Sequence, residues 1–242
     1  MRRRGRIVNV LRLHLANRAT YGWVPLLVIG GTMLISVAMY GVILLGFRDE
    51  PGPRPELYGF GGLQFIPSYY CVTVGIQAMM YTYQFAMAMS LTRREYINGT
   101  TLLAALFALA LGGLFALGRA LETLTGGYGI GFRYFSLAGW FGQHPWWEQW
   151  LFLTALSLMF FMAGFCCTTV FRRGGAIRLV VALTAWTMAV VGACAVVTWR
   201  EWWPPVGEFV LALTPGGAGL VMLAVAVLFS AGSYWSMRKT VP

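Results

Sequence analysis

The sequence predicts an all-α membrane protein: six transmembrane helices, an amino-terminal interfacial helix and a short outer re-entrant hairpin before the last span. Three observations carry this. Hydrophobic residues make up 58% of the 242 and charged residues 11%, with a mean hydropathy of +0.67, so charge is too scarce to cover a water-facing surface. Six runs reach the length of about 20 mainly apolar residues that a hydrocarbon core roughly 30 Å thick requires. The basic residues lie in short clusters between those runs. Barrel strands would instead alternate polar and apolar over about ten residues.

Residues 1–22 form a first unit, MRRRGRIVNVLRLHLANRATYG. Arg12 and His14 interrupt its apolar residues, which argues against a cleaved signal peptide. Ile7, Val8, Leu11 and Leu15 share one helical face among arginines, the pattern of an uncleaved helix lying in the membrane surface; a disordered basic tail is the alternative. Residues 23–242 form a single transmembrane unit. Its predicted spans are Val24 to Phe47, Leu63 to Leu91, Thr101 to Gly118, Trp150 to Phe171, Leu179 to Trp199 and Gly216 to Trp235, and none carries a formal charge. The segment from Arg119 to Gln149, rich in glycine and aromatics, is expected to pack against the outer membrane surface. Pro204, Pro205 and Pro215 bracket the apolar Val206 to Leu213, which limits a helix there to about two turns and suggests the re-entrant hairpin.

Orientation follows from charge. With both ends in the cytoplasm, Arg2, Arg3, Arg4, Arg6, Arg12, Arg18, Arg93, Arg94, Arg172, Arg173, Arg178, Arg238 and Lys239 lie inside, thirteen of the 18 basic residues. Of the acidic residues only Glu95 joins them; Asp49, Glu50, Glu56, Glu122, Glu148, Glu201 and Glu208 fall outside. Trp140, Trp146, Trp147, Trp150, Trp199, Trp202 and Trp203 cluster near the outer interface, where amphipathic rings are favoured. A bacterial inner membrane suits this pattern and the excess of arginine over lysine. The net charge of +10 thus reflects membrane orientation, and no nucleic-acid partner is expected.

Most catalytic classes lack their residues. A phosphate-binding loop needs a Gly-Lys-Ser/Thr ending, and the only lysine, Lys239, is preceded by Arg238, so no ATP hydrolysis is expected from this chain alone. His14 and His144 sit near opposite membrane faces, and Ser90, Ser157 and Ser230 have no neighbouring histidine, which leaves no catalytic residue, metal ligand or bound cofactor to name. Cys71, Cys166, Cys167 and Cys194 have no metal spacing and read as free thiols. Spans without charge also disfavour a self-powered, ion-coupled transporter.

The second span carries Tyr70, Thr73, Gln77, Tyr81 and Gln84 at steps of three or four, one helical face. The fifth has a weaker counterpart in Thr184, Thr187, Cys194 and Thr198. These stripes either line a pathway for an amphiphilic substrate or hydrogen-bond between packed helices. Met79, Met80, Met87 and Met89 with Phe160, Phe161 and Met162 suit an adaptable pocket, or simply the core. Between the second and third spans lies TRREYING, Thr92 to Gly99, whose charged and aromatic residues suit docking of a cytoplasmic protein; orientation charges near headgroups are the simpler account of Arg93 and Arg94.

That segment, within FAMAMSLTRREYINGTTLLAALFALALGGLFALGRALETLTGGYG (Phe85 to Gly129), closely resembles permease subunits of bacterial ATP-binding-cassette transporters of the type-2 exporter family. The resemblance extends through most of the chain. It implies a pair of permeases, either two copies or this chain with a related permease, and two separate cytoplasmic ATPase subunits that hold the ATP and magnesium. Thr92, Arg93, Arg94, Glu95, Tyr96 and Asn98 would belong to a coupling helix seated in an ATPase groove. Tyr70, Thr73, Gln77, Tyr81, Gln84, Thr184, Thr187 and Thr198 would border the export pathway. The elaborate outer segment after the third span departs from many members, which place theirs between the fifth and sixth. The rival readings are a membrane scaffold or sensor that recruits a cytoplasmic partner without transport, and an intramembrane enzyme.

Overall fold

The computed structural model describes residues 10–46, 62–137 and 141–238. The predicted positions at Arg2, Arg3, Arg4, Arg6, Ile7, Val8, Phe47, Asp49, Glu50, Glu56, Trp140 and Lys239 lie outside them. The described chain is helical and contains no β-strand. A short helix, α1 (residues 10–15), leads through the π turn Ala19–Trp23 into α2 (Val24–Gly46). A 3-10 turn at Leu63–Phe65 opens α3 (Ile66–Gln77), which passes through a second π turn, Ala78–Thr82, into α4 (Tyr83–Ala88). There follow α5 (Arg93–Leu124), α6 (Trp146–Trp199), α7 (Trp203–Ala212) and α8 (Pro215–Arg238).

Four helical runs are long and apolar enough to cross a membrane: Ala19–Gly46, Arg93–Leu124, Trp146–Trp199 and Pro215–Met237. The chain is therefore an all-α protein of membrane-embedded character. The count differs from the six predicted spans for two physical reasons. The predicted second span is divided at the π turn, so neither piece is long enough alone. The predicted fourth and fifth spans are merged in α6, whose 54 residues are interrupted only at Gly174 (φ −150°, ψ 17°) and Gly175 (φ 69°, ψ −170°). At about 1.5 Å per residue a helix of that length would extend roughly 80 Å, far beyond a hydrocarbon core. Gly175 adopts a left-handed φ that other residues resist, so the two-glycine sequence is what permits the break.

The core is built on the first arm of α6, residues 146–173, which packs against α3, α5 and α8. Lipid gives helices no hydrophobic reason to associate, so close backbone approach must do it. A Cβ at Gly75 would strike the Phe161 carbonyl oxygen, and one at Gly164 would strike that of Val72, which puts α3 and α6 in backbone contact. Ser68 and Ser157 bond across the same interface at 3.0 Å. The second arm of α6, residues 176–199, is exposed along nearly its whole length, as is α7.

Two regions make contacts that the sequence did not suggest. The buried face of α1 is Val10 and His14, four residues apart, while Leu15 is 54% exposed; α1 packs on α5 at Gly99 and Thr100 rather than resting on lipid alone. The segment after α5 folds back onto the helices. Phe132, Tyr134 and Leu137 are buried, the Tyr134 hydroxyl lies 2.6 Å from Thr32 Oγ1, and Gln64 donates to the Tyr134 carbonyl. Glu122 organises that fold-back by accepting the backbone N–H groups of Tyr134, Phe135 and Ser136 at 2.6 to 2.7 Å.

Candidate functional site

The end of the bundle that carries Arg93, Arg172 and Arg173 gathers most of the residues singled out in the sequence. α4 ends in a hydrogen-bonded reversal: Leu91 N–H reaches the Ala86 carbonyl at 3.2 Å and Ser90 N–H that of Met87 at 3.1 Å, with Ser90 left-handed at φ 55°. Two residues later α5 begins with a complete capping box, Thr92 Oγ1 accepting from Glu95 N–H at 3.2 Å and Glu95 Oε2 from Thr92 N–H at 3.1 Å. Adjacent stop and start signals thus produce a sharp hairpin with exposed Thr92, Arg94 and Asn98 and half-buried Arg93 and Glu95.

The expected coupling helix is not a separate element: residues 93–99 are the first turns of α5 itself. Tyr96 is a second correction, because its side chain is fully buried and cannot meet a partner. It is instead the brace of this end. Its hydroxyl donates to the Ala78 carbonyl at 2.5 Å, and its ring packs on Tyr83, Phe165 and His14. That acceptor belongs to the π turn, where the Ala78 carbonyl also takes the Tyr83 N–H. Arg172 takes another, donating from Nη2 to the Met80 carbonyl at 2.8 Å, while its guanidinium lies 5.6 Å from the Tyr83 ring centre.

His14 joins α1 to the same brace, Nε2 3.3 Å from Thr100 Oγ1 and Nδ1 3.0 Å from the Tyr21 hydroxyl. Burial lowers its pKa to about 4, so the ring is neutral at physiological pH.

The polar stripe of the second span is split. Tyr70 donates to the Thr20 carbonyl at 3.0 Å and Gln77 Oε1 accepts from Thr20 Oγ1 at 3.4 Å, so both serve packing against the π turn that leads into α2. Thr73 donates to its own helix at Tyr70, and Thr73, Tyr81 and Gln84 are exposed. Thr73 already leaves that face within α3, and beyond it the π turn holds an additional residue that rotates Gln84 by about 100° relative to a continuous α-helix. On the second arm of α6, Thr184, Thr187 and Thr198 are exposed; Thr187 and Thr198 donate to Leu183 and Cys194 four residues earlier. The two stripes do not meet within one chain. Met79, Phe161 and Met162 lie in the core while Met89 is exposed, so the methionine set does not close one pocket.

Sequence reasoning missed the part played by Arg172, which was read only as an orientation charge, and the role of the π turn. The local signal was Tyr83 and Tyr96 near an Arg-Arg pair, but it acquires meaning only when α4, α5 and α6 are brought together. Among the described residues no group of three or more His, Cys, Asp or Glu is placed to hold a metal ion, and all four cysteines are free. No protein-family model, characterised protein or solved structure matches the chain.

Proposed function

We propose that the chain is the membrane-spanning permease subunit of an ATP-binding-cassette exporter, moving an amphiphilic or hydrophobic substrate outward with ATP hydrolysed by a separate cytoplasmic ATPase. One observation carries the reading: an exposed, doubly capped hairpin, Thr92 to Asn98, is braced through Tyr96 to the π turn and, through His14, to α1. A push on Arg94 or Asn98 is therefore delivered to the helix that bears Tyr81 and Gln84. Six crossings follow when α3–α4 counts as one and the two arms of α6 as two, with both termini cytoplasmic and α7 as a re-entrant segment of about 15 Å, half the hydrocarbon core. The stripe at Thr184, Thr187 and Thr198 would complete a pathway only beside a second permease, a copy of this chain or a related one.

The scaffold or sensor reading has one observation in its favour, that Tyr70 and Gln77 are committed to Thr20 and so are withdrawn from any pathway. Purification from native membranes under mild extraction, with ATPase assay of the complex, separates the two. A stoichiometric cassette ATPase whose hydrolysis responds to amphiphiles supports export; a bound partner of another kind supports the scaffold. Arg94→Glu should weaken ATPase association about tenfold with an unchanged melting temperature. Unchanged association would remove the hairpin from the interface.

A further inference from the structure

Beside the Tyr96 brace, α4, α5, the first arm of α6 and α8 converge on a cleft of roughly 200 Å³ lined by Met79, Tyr83, Arg93, Thr169, Arg172, Arg173, Ser236 and Met237. Arg93, Arg172 and Arg173 contribute to its lining, and no acidic residue is among the lining residues. The adjacent like charges of Arg172 and Arg173 at the junction of four helices favour an anionic ligand. Hydrogen bonds within the chain leave part of this charge unsatisfied: Arg172 uses Nη2 on the Met80 carbonyl, while its Nε is buried without a partner. The Tyr83 ring against the guanidinium holds the Arg172 side chain in place, so the group is positioned before any ligand arrives. Arg93 Nη1 contacts the Met237 carbonyl at 3.4 Å, which ties the charge on α5 to the end of α8.

We propose that this cleft is a phosphate-binding site, taking the phosphate ester of an anionic lipid headgroup or a free phosphate group. A planar guanidinium offers the paired donors that fit phosphate oxygens, and Ser236 adds a hydroxyl. Basic pockets between membrane helices bind anionic headgroups by this chemistry. The surroundings suit a lipid: Phe85, Met89 and Trp235, exposed apolar side chains on or next to α4 and on α8, offer surface for acyl chains. The site owes nothing to the export reading, since it requires only the four converging helices.

The test is binding to detergent-purified protein, read by native mass spectrometry and by the shift in melting temperature. The probes are phosphatidylglycerol, phosphatidylcholine and inorganic phosphate. Phosphatidylglycerol should bind and stabilise, with Arg173→Gln weakening it about tenfold and Arg172→Gln with Arg173→Gln about a hundredfold. Arg200→Gln, beside Trp199 and Trp202 beyond the second arm of α6, should change nothing. Retention only of phosphatidylglycerol assigns the site to a lipid headgroup; equal retention of inorganic phosphate assigns it to free phosphate. Because Arg172 also supports the π turn, the exposed Arg173 is the decisive single variant. Binding that is insensitive to Arg173→Gln, or reduced equally by Arg200→Gln, overturns the proposal.

Discussion

The two arms of α6 are both strongly apolar and have opposite surroundings. Residues 146–173 are the most enclosed part of the chain, whereas residues 176–199 present Val180, Val181, Trp186, Met188 and Val191 to the exterior. Hydropathy does not distinguish them. What does is the means of backbone approach: the first arm has Gly164 against Val72 and receives Gly75 and Gly219 from its neighbours, while nothing lies within 4 Å of a Cβ placed at Gly192 in the second arm. In lipid, apolarity places a helix in the membrane and small residues decide which helices touch.

The sharpest way to break this contrast is a pair of identical changes. Gly164→Leu should abolish folding or cost more than about 4 kcal/mol, because the new Cβ meets backbone that cannot yield. Gly192→Leu should change stability by no more than about 0.5 kcal/mol. Yield of monodisperse protein and melting temperature in detergent compare the two; equal sensitivity would mean that the second arm is also packed.

Next in size is the clamp above the first arm. Glu122→Gln replaces one of two acceptor oxygens by a donor facing the Ser136 or Phe135 amide, at a cost of about 3 kcal/mol. Gln149 of α6 donates to the Phe135 carbonyl and accepts from Arg119, so the start of the first arm should loosen with the loop. Faster proteolysis between residues 125 and 145 measures this, and cleavage unchanged from wild type would show that the loop is held by its aromatics alone.

A smaller effect comes from pH at α1. The folded pKa of His14, about 4, lies below the ordinary 6.5, so between these values the unfolded or undocked state binds more protons and stability falls as pH is lowered. Both hydroxyl partners can accept from a protonated ring, so burial rather than bonding is the cause. At pH 5 the loss should approach about 2 kcal/mol, at 1.36 kcal/mol per unit, and be absent above about pH 7. His14→Gln should flatten the profile of α1 protection in hydrogen exchange; a pH dependence that survives the substitution belongs to another group. Least of all, Ser90→Gly should stabilise the α4–α5 hairpin by about 0.5 kcal/mol by relieving its left-handed φ, offset in part by the freedom glycine gains when unfolded.

Much of the fold was legible because run length and charge are local. The starts of α2 and α8, the short α7 and the break at Gly174–Gly175 all correspond to residues visible in sequence. The division of the second span was not, since a π turn has no residue signature of its own and is sustained by Tyr96 and Arg172 from other helices. The same limitation affected the site. Thr92 and Glu95 announced a helix start by their spacing, but the inward direction of Tyr96 depends on Ala78 and Phe165. The fold-back of the segment after α5 depends likewise on Glu122, whose charge suggested only a side of the membrane.

Glu148 gives the chain a timetable. This buried carboxylate near the start of α6 accepts the Gly216 N–H at 3.0 Å, a partner 68 residues further along. At about 5–20 residues per second, synthesis reaches that glycine roughly 3 to 14 seconds after Glu148 is made. During that interval the Glu148 carboxylate has its sequence neighbour His144, 3.7 Å away in the folded chain, but not its partner on α8. The first arm of α6 therefore completes its bonding only after α8 has been made.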